Sequence, residues 1–548
     1  MRSNNGKSKV GHPGRMWLNA GAIFSCWALF LILLRRLWPY QGVFTGEALS
    51  GIAAYAWIHQ IPNMFMGPSA AVFGWNIPLM YSNIHGPWSI YFLSPFIALG
   101  GCTLATLRIY SAFMFLFALW GTWRLALLVS GNRAAAFLSA ALLAVCPAMA
   151  MTRSEYVTAP DVAASVWALC FALSFVRTRK PAYAWAACAA FFMGLCTRTW
   201  VAGLGVGFVL YALLTWRKVL TLFPAARGAK ARLIGGCLAC AGIFLLPILI
   251  YNALNGWPCV WFYARRFANR QLLACGLPGQ EACSNLAYWI NLKFNVRQLE
   301  SLCDGPLGIL VRAPWHWLYA ATLLLSLAFA ARSAWRRRTL WSATAALWII
   351  AIGYFLIAAV SPTDQLAIHL TPLVPILAVL AVSWIADVPA GRPRAALLCA
   401  MALVCAAQFA GDVRLFRREN IDISSAGGAR GWYGASPLII TASRWAGQEA
   451  RIPIISLSHP FTSAAPYFSQ GRAVLIPWPD WISDYRFPWK EWLRRKDRPY
   501  FLIENDSLGA AKATELKAEA AKLGAPLARV RVLRDSRGRP AFEVYRVR

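Results

Sequence analysis

Residues 16–34 read MWLNAGAIFSCWALFLILL, and stretches of this apolar character recur through the first three quarters of the 548 residues. A run of about 20 apolar residues is what an α-helix needs to cross a bilayer. The composition agrees, since 59% of the residues are hydrophobic and 14% are charged. The chain therefore reads as a polytopic membrane protein rather than as several soluble domains. No small-residue cleavage site accompanies the first run, which predicts a retained span.

The basic residues give the chain a formal net charge of +32, and they fall in clusters between the apolar runs. These clusters are Arg177, Arg179 and Lys180; Arg217 and Lys218; Arg227, Lys230 and Arg232; Arg332, Arg336, Arg337 and Arg338; and Arg392 and Arg394. This distribution is the positive-inside pattern, and attraction to anionic membrane lipid follows from it. A nucleic-acid partner would need a basic face on one domain, so none is predicted.

The N-terminal arm, residues 1–15, has basic residues and no acidic one, so it is predicted to be cytoplasmic. Alternating crossings then predict about 11 transmembrane helices within residues 16–411, with external loops at 37–108 and 252–313. The predicted spans are 16–36, 109–129, 134–151, 161–176, 183–196, 200–216, 233–251, 314–331, 340–360, 367–386 and 395–410. Segment 88–106 is interpreted as a juxtamembrane or re-entrant piece, because a crossing there would place the basic clusters outside.

From residue 412 onward the composition is that of a soluble domain, which the odd number of spans places on the external side. Strands are predicted at 451–458, 472–479 and 499–506, and a hairpin joins 527–535 to 541–547. Helices are predicted from Ser436-Pro437 to Glu449, over 460–470 and over 507–523. The predicted fold class is an all-α polytopic membrane bundle with a C-terminal soluble α/β domain, 412–548.

Most of the 14 cysteines lie singly in apolar spans, where they suit a small core position. Four of them share the second external loop: Cys259, Cys275, Cys283 and Cys303. One or two disulfides fit an oxidising compartment, with the pairing open, and no zinc-binding spacing is present.

Asp161 and Arg198 are ionisable residues at span ends that the predicted topology places on the outer face. Ionisable groups in a membrane are costly unless they face a cavity or a partner, so both are functional candidates. Asp161 has a second interpretation as the first-turn acid of a helix that begins at Pro160. Arg198 is either a side chain extending to the headgroups or a cation that binds phosphate.

The other candidates also fall on the predicted outer face. Glu47 in the first loop is either solvated or a general base. His85 either shapes the turn before Gly-Pro or binds phosphate or a metal. Arg153 and Glu155 either pair with each other or line the site, and Asp364 either caps a span or contacts the ligand.

Five short motifs occur in order along the chain. Residues 46–48 read GEA, 85–88 read HGPW, 153–161 read RSEYVTAPD, 194–199 read GLCTRT and 368–375 read IHLTPLVP. Their order and topology resemble the GT-C fold glycosyltransferases that use polyprenyl-phosphate sugars, the group of protein O-mannosyltransferases and bacterial aminoarabinose lipid A transferases. The likeness covers nearly the whole chain, including the external α/β tail.

The resemblance implies an inner-membrane enzyme that transfers a sugar from a polyprenyl-phosphate donor to an external lipid, glycan or protein. It implies catalytic roles for Glu47 and Asp161, and substrate or phosphate contacts for the remaining candidates, His85, Arg153, Glu155, Arg198, Asp364 and His369. No cofactor is implied with certainty, and a divalent cation stays open.

This sequence departs from the family at three positions: Gly46 replaces the first-loop Asp credited as the base, Ile368 replaces an Arg and His369 replaces a Tyr. Either Glu47 substitutes for the missing Asp or the activity is altered. Two alternatives therefore stay open: a non-catalytic assembly subunit with this fold, and a transporter or flippase of a lipid-linked substrate. A transporter is expected to show two related halves, and none is visible.

Overall fold

A computed structural model of the chain is built mainly of helices. It describes residues 13–37, 45–61, 69–80, 86–146, 159–257, 315–360 and 371–426, and most of 438–548. In the first 426 residues, the described α-helices are α1 (Pro13–Leu37), α2 (Thr45–Ile58), α3 (Trp88–Gly100), α4 (Leu104–Ser130), α5 (Arg133–Ala144), α6 (Ala159–Thr178), α7 (Pro181–Thr197), α8 (Ala202–Leu214), α9 (Trp216–Leu220), α10 (Arg227–Asn255), α11 (Trp315–Arg337), α12 (Ala343–Val360), α13 (Val374–Ser383) and α14 (Arg392–Ala426). Short 3₁₀ turns cover Thr199–Val201 and Trp384–Asp387.

Each predicted span overlaps one of these helices. Within the described part of the chain, four helices are long and apolar enough to cross a membrane by length and composition: α4, α6, α10 and the Arg392–Gly411 part of α14. Further apolar helices of the bundle contribute 10–17 described residues each. The number of eleven transmembrane helices therefore stays a prediction.

Local capping fixes where α4 and α5 begin and end. The Thr103 hydroxyl accepts the Thr106 N–H at 3.1 Å at the start of α4, and α4 ends at Gly131, whose φ of 66° suits glycine. The Asn132 side chain accepts the N–H groups of Ala134 and Ala135 at 2.8 and 3.2 Å and begins α5. The two helices form a tight antiparallel pair because the caps leave only two residues between them.

Indole N–H groups join neighbouring helices in the bundle. Trp27 donates to the Ala112 carbonyl at 2.9 Å, Trp167 to Phe117 at 3.1 Å and Trp185 to Leu233 at 3.1 Å. Helix carbonyls already accept one backbone hydrogen bond but keep a second lone pair. These bonds therefore satisfy the indole groups without opening a helix.

The first predicted external loop, 37–108, contains more secondary structure than the sequence suggested. It holds α2, α3 and a hairpin of β1 (Ser69–Val72) and β2 (Trp75–Pro78). The expectation that Glu47 lies in a loop is wrong, because its backbone belongs to the first turn of α2. Helix formation there follows from burial of the α2 face that carries Ile52 and Ala53. Helix α3 has 13 residues, and its interpretation as a juxtamembrane or re-entrant piece stays a prediction.

The C-terminal part contains a five-stranded mixed sheet in the order β4-β3-β5-β7-β6. Its strands are β3 (Ile454–Ser456), β4 (Leu475–Pro477), β5 (Tyr500–Glu504), β6 (Leu527–Arg534) and β7 (Pro540–Val547), with helices α15 (Leu438–Gln448), α16 (His459–Phe468) and α17 (Ser507–Lys522). β3 is parallel to β4 and β5, and β7 is antiparallel to β5 and β6. These elements match the strands and helices predicted after residue 436. Helix α14, however, continues to Ala426, past the predicted boundary at 412.

The C-terminal sheet shares a hydrophobic core with α2, α3 and the start of α4. Helix α16 packs on α2, and the Tyr467 hydroxyl donates to the Thr103 carbonyl at 2.8 Å. Gly51 makes the close approach possible, since a Cβ there would overlap the Tyr467 ring. The helix that bears Glu47 is thus held between the membrane bundle and the C-terminal sheet.

Candidate functional site

Asp161 lies in the first turn of α6 and is almost fully buried, with 2% of its surface exposed. Its Oδ1 accepts the N–H of the next residue, Val162, at 2.9 Å. The helix N-terminus therefore favours the carboxylate, as one of the two sequence interpretations expected. The helix dipole alone does not offset the cost of burying this carboxylate, because a charge that is removed from water also needs a counter-charge.

Arg198 places a positive charge within electrostatic reach of Asp161. It follows the last residue of α7, and its backbone N–H closes the helix on the Gly194 carbonyl at 2.8 Å. Its side chain is 6% exposed, so it does not extend to the surface, and it interacts electrostatically with the Asp161 carboxylate. The two residues that the sequence placed on one face are thus brought together.

The pairing follows from the packing of α6 against α7. The two helices are antiparallel and joined by a two-residue turn, so the start of α6 and the end of α7 lie at the same end of the bundle. A Cβ on Gly194 would lie 3.0 Å from the Ala164 Cβ, which shows how closely the backbones approach near the pair. Small residues at this crossing set the separation of Asp161 and Arg198.

Two tyrosines from other helices are within electrostatic reach of Asp161: Tyr110 of α4 and Tyr354 of α12. Both are buried, and the Tyr110 hydroxyl has no hydrogen-bond partner among the described residues. Arg108, one turn from the start of α4, is 1% exposed. Sequence reasoning missed all three, although an arginine inside an apolar span is itself a signal of function.

Gly86 packs against the end of α7. The Gly86 N–H donates to the Cys196 carbonyl at 2.6 Å, and a Cβ on Gly86 would lie 2.7 Å from that oxygen. Trp88 and Cys196 in turn donate to the Phe244 carbonyl of α10, at 3.0 and 3.1 Å. Gly86 thus meets the bundle two residues along the chain from Arg198.

The roles of the other candidates stay predictions. Glu47 is described only by its backbone in α2. His85, Arg153, Glu155, Asp364, His369 and the four loop cysteines lie outside the described residues. In the part of the chain that is described, no group of three or more His, Cys, Asp and Glu side chains could hold a metal ion.

Part of the chain is similar in sequence to a known protein family. Residues 84–235 match the sequence model of the dolichyl-phosphate-mannose-protein mannosyltransferase family, a segment that includes Asp161 and Arg198. No curated protein is significantly similar in sequence.

Two solved structures resemble the whole chain. One is ArnT from Cupriavidus metallidurans bound to undecaprenyl phosphate, with a TM-score of 0.56 and 14% identity over 97% of this chain and 98% of that one. The other is the archaeal oligosaccharyltransferase AglB from Archaeoglobus fulgidus with an inhibitory peptide and a dolichol-phosphate, with a TM-score of 0.52 and 13% identity over 92% of this chain and 69% of that one.

The matched family and both structures are glycosyltransferases of the GT-C type. This chain has the GT-C fold, which confirms the resemblance seen in its motifs. It is a multi-pass integral membrane protein, in agreement with its apolar helices.

Proposed function

We propose that the protein is a membrane glycosyltransferase that moves a sugar from a polyprenyl-phosphate donor to an external lipid, glycan or protein acceptor. The observation that carries the proposal is the burial of Asp161 and Arg198 at one end of the bundle, within electrostatic reach of each other, with Gly86 hydrogen-bonded to the Cys196 carbonyl of α7. The ArnT neighbour, bound to undecaprenyl phosphate, supports a lipid phosphate as the leaving group. The positive-inside pattern supports a site on the periplasmic side of a bacterial inner membrane.

The reaction would be a displacement at the anomeric carbon. An acceptor oxygen or nitrogen forms the new bond to this carbon, and the bond from the carbon to the phosphate oxygen breaks. The polyprenyl phosphate leaves with the electron pair, and the acceptor proton passes to a carboxylate. Catalysis then needs a base for the acceptor and a cation for the phosphate charge that develops.

The residues divide between these two tasks. Arg198 would bind the phosphate through its planar guanidinium, with His85 and Arg153 in support. Glu47, in the first turn of α2, would be the base in place of the aspartate that Gly46 replaces. Asp161 would orient the acceptor or sugar and hold Arg198 in place.

Purified protein incubated with a panel of radiolabelled polyprenyl-phosphate sugars tests this function. The Glu47→Gln variant should lose transfer by about 100-fold or more, since general-base catalysis contributes about that much, while its melting temperature stays unchanged. Arg198→Gln should weaken donor binding as well as turnover. Glu519→Gln, in an exposed pair with Lys522 on α17, is the matched control and should keep full activity.

The outcomes separate the alternatives. Full transfer by Glu47→Gln would remove that residue as the base. Donor binding without transfer by the wild type would favour the assembly subunit, for which the Gly46 departure is the specific observation. Movement of the lipid-linked donor from one leaflet of a vesicle membrane to the other, without sugar transfer, would favour a flippase.

A further inference from the structure

A groove of about 920 Å³ lies between the junction of α8 and α9 and the C-terminal end of α11. Its volume falls within the range of about 300–1,000 Å³ that is typical of small-molecule sites. The topology predicted from the basic clusters puts this groove on the cytoplasmic side, at the opposite end of the bundle from Asp161 and Arg198. It is therefore separate from the proposed active site.

The lining combines three cations with apolar walls. Arg217, Lys218 and Arg338 line the groove, and no Asp or Glu is among its lining residues. The nearby acid Asp387 faces Arg337 and Arg394, neither of which lines the groove. The groove thus carries a concentrated positive charge with no acidic residue in its own walls.

Two tryptophans stand at the groove and remain largely exposed, Trp216 at 55% and Trp335 at 86%. The Arg217 guanidinium lies over the Trp216 ring at 5.5 Å. Exposed tryptophan beside Lys and Arg at the ends of apolar helices is typical of the membrane–water interface. The groove thus offers both charged and apolar side chains to an occupant.

Arg338 adopts an unusual backbone conformation at the end of α11. Its φ is 47°, in the left-handed region that a helix C-terminus normally reserves for glycine. The turn is closed by hydrogen bonds from Arg338 N–H to Trp335 and from Thr339 N–H to Ala334, at 3.2 and 3.1 Å. This turn places Arg338 at the groove.

We propose that this groove binds the phosphate headgroup of an anionic membrane lipid, with Arg217, Lys218 and Arg338 on the phosphate. The apolar walls, among them Leu214 and Ala331, would contact the start of the acyl chains. Charge complementarity and the interfacial tryptophans favour a lipid over a free phosphate. Basic pockets between transmembrane helices are suited to such headgroups.

Native mass spectrometry of the full-length protein in neutral detergent measures the binding of cardiolipin, phosphatidylglycerol and phosphatidylcholine. Wild-type protein should bind the two anionic lipids more tightly than phosphatidylcholine. Arg217→Gln and Arg338→Gly should each weaken cardiolipin binding about fivefold, and the double variant about 30-fold. Glycine tolerates the φ of Arg338, so Arg338→Gly should melt no earlier than wild type in lipid-free detergent.

Arg179→Gly is the matched control, because Arg179 also ends a helix on the predicted cytoplasmic side with a positive φ, 60°, but does not line the groove. It should leave lipid binding unchanged. Equal weakening of cardiolipin binding by Arg179→Gly would mean that the overall charge of the protein is responsible. Equal binding of phosphatidylcholine would mean that the groove does not recognise the net negative charge of the headgroup. Displacement of cardiolipin by inorganic pyrophosphate at equal concentration would mean a free-phosphate site. Each of these three results would overturn the proposal.

Discussion

At the residue scale, the centre of the molecule is a carboxylate and a guanidinium that are buried together. Each is costly to bury, and the charge of Arg198 offsets part of the cost for Asp161. Asp161 is fixed by the start of α6 and Arg198 by the end of α7. Their interaction therefore depends on two helix termini being at the same end of the bundle.

We expect the two residues to be coupled in stability. Arg198→Gln should lower the free energy of unfolding by about 1 kcal/mol or more, because it removes a positive charge that favours the buried Asp161 carboxylate. Adding Asp161→Asn to that variant should recover part of the loss, which gives an interaction energy of about 1 kcal/mol or more. Denaturation of the four proteins in the same detergent measures this cycle.

The exposed pair of Lys522 and Glu519 on α17 is the control for the cycle. Lys522→Gln should change stability by less than about 1 kcal/mol, since water screens surface ion pairs. Strictly additive effects of the Asp161 and Arg198 replacements would contradict the proposed coupling.

The sequence singled out Asp161 and Arg198 because the charge pattern orients the spans and places both residues on the outer face, where charged residues are few. It was not sufficient for Tyr110 and Tyr354. A tyrosine in an apolar helix normally fills the core or lies at the membrane interface. Their approach to Asp161 comes from the packing of α4, α6 and α12, which no local pattern encodes.

At the element scale, the helix pair of α8 and α12 depends on glycine. A Cβ on Gly207 would lie 2.6 Å from both Cα and O of Ile350, and one on Gly353 would lie 2.6 Å from the Gly207 Cα. Gly203 and Gly207 are four residues apart and so share a face of α8. Small residues at this spacing let helix backbones approach closely in membranes, where packing replaces the hydrophobic effect between helices.

Gly207→Ala should therefore destabilise the protein by about 1–3 kcal/mol, because backbone atoms of α12 leave no room for the methyl group. Thermal denaturation in detergent measures the loss. Gly242→Ala in α10 is the control, since nothing lies within 4 Å of the position of its Cβ. An unchanged melting temperature for Gly207→Ala would show that α12 shifts easily and that the contact is not important.

The elements themselves were predictable to different degrees. The helices of the bundle follow from long apolar runs. The strands of the C-terminal sheet follow from short segments that are bounded by turn residues or that alternate apolar and polar residues. Helix α2 was missed because its sequence, TGEALSGIAAYAWI, lies between polar stretches and is too short for a crossing. It is buried by α3 and α16, and the contact with α16 joins residues about 400 positions apart, so its burial is a property of the tertiary structure.

At the scale of the whole molecule, the C-terminal sheet and the membrane bundle meet on α2. Tyr467 is fully buried between them, bonded to the Thr103 carbonyl and packed against Gly51. Since Glu47 belongs to the first turn of α2, the C-terminal part positions the segment that carries the proposed base. Tyr467 is accordingly a positioning residue rather than a catalytic one.

Tyr467→Phe should therefore lower the free energy of unfolding by about 1 kcal/mol, because one hydrogen bond is lost. It should also lower the rate of sugar transfer. Tyr545→Phe is the matched control, because that hydroxyl donates to Glu543 within the sheet, on the side that packs against α17. It should reduce stability without slowing transfer, and Gly51→Ala should behave like Tyr467→Phe because its methyl group overlaps the same ring. Melting temperatures and transfer rates of the three variants separate the two roles. Equal transfer rates for Tyr467→Phe and Tyr545→Phe would mean that the C-terminal part stabilises the protein without positioning α2.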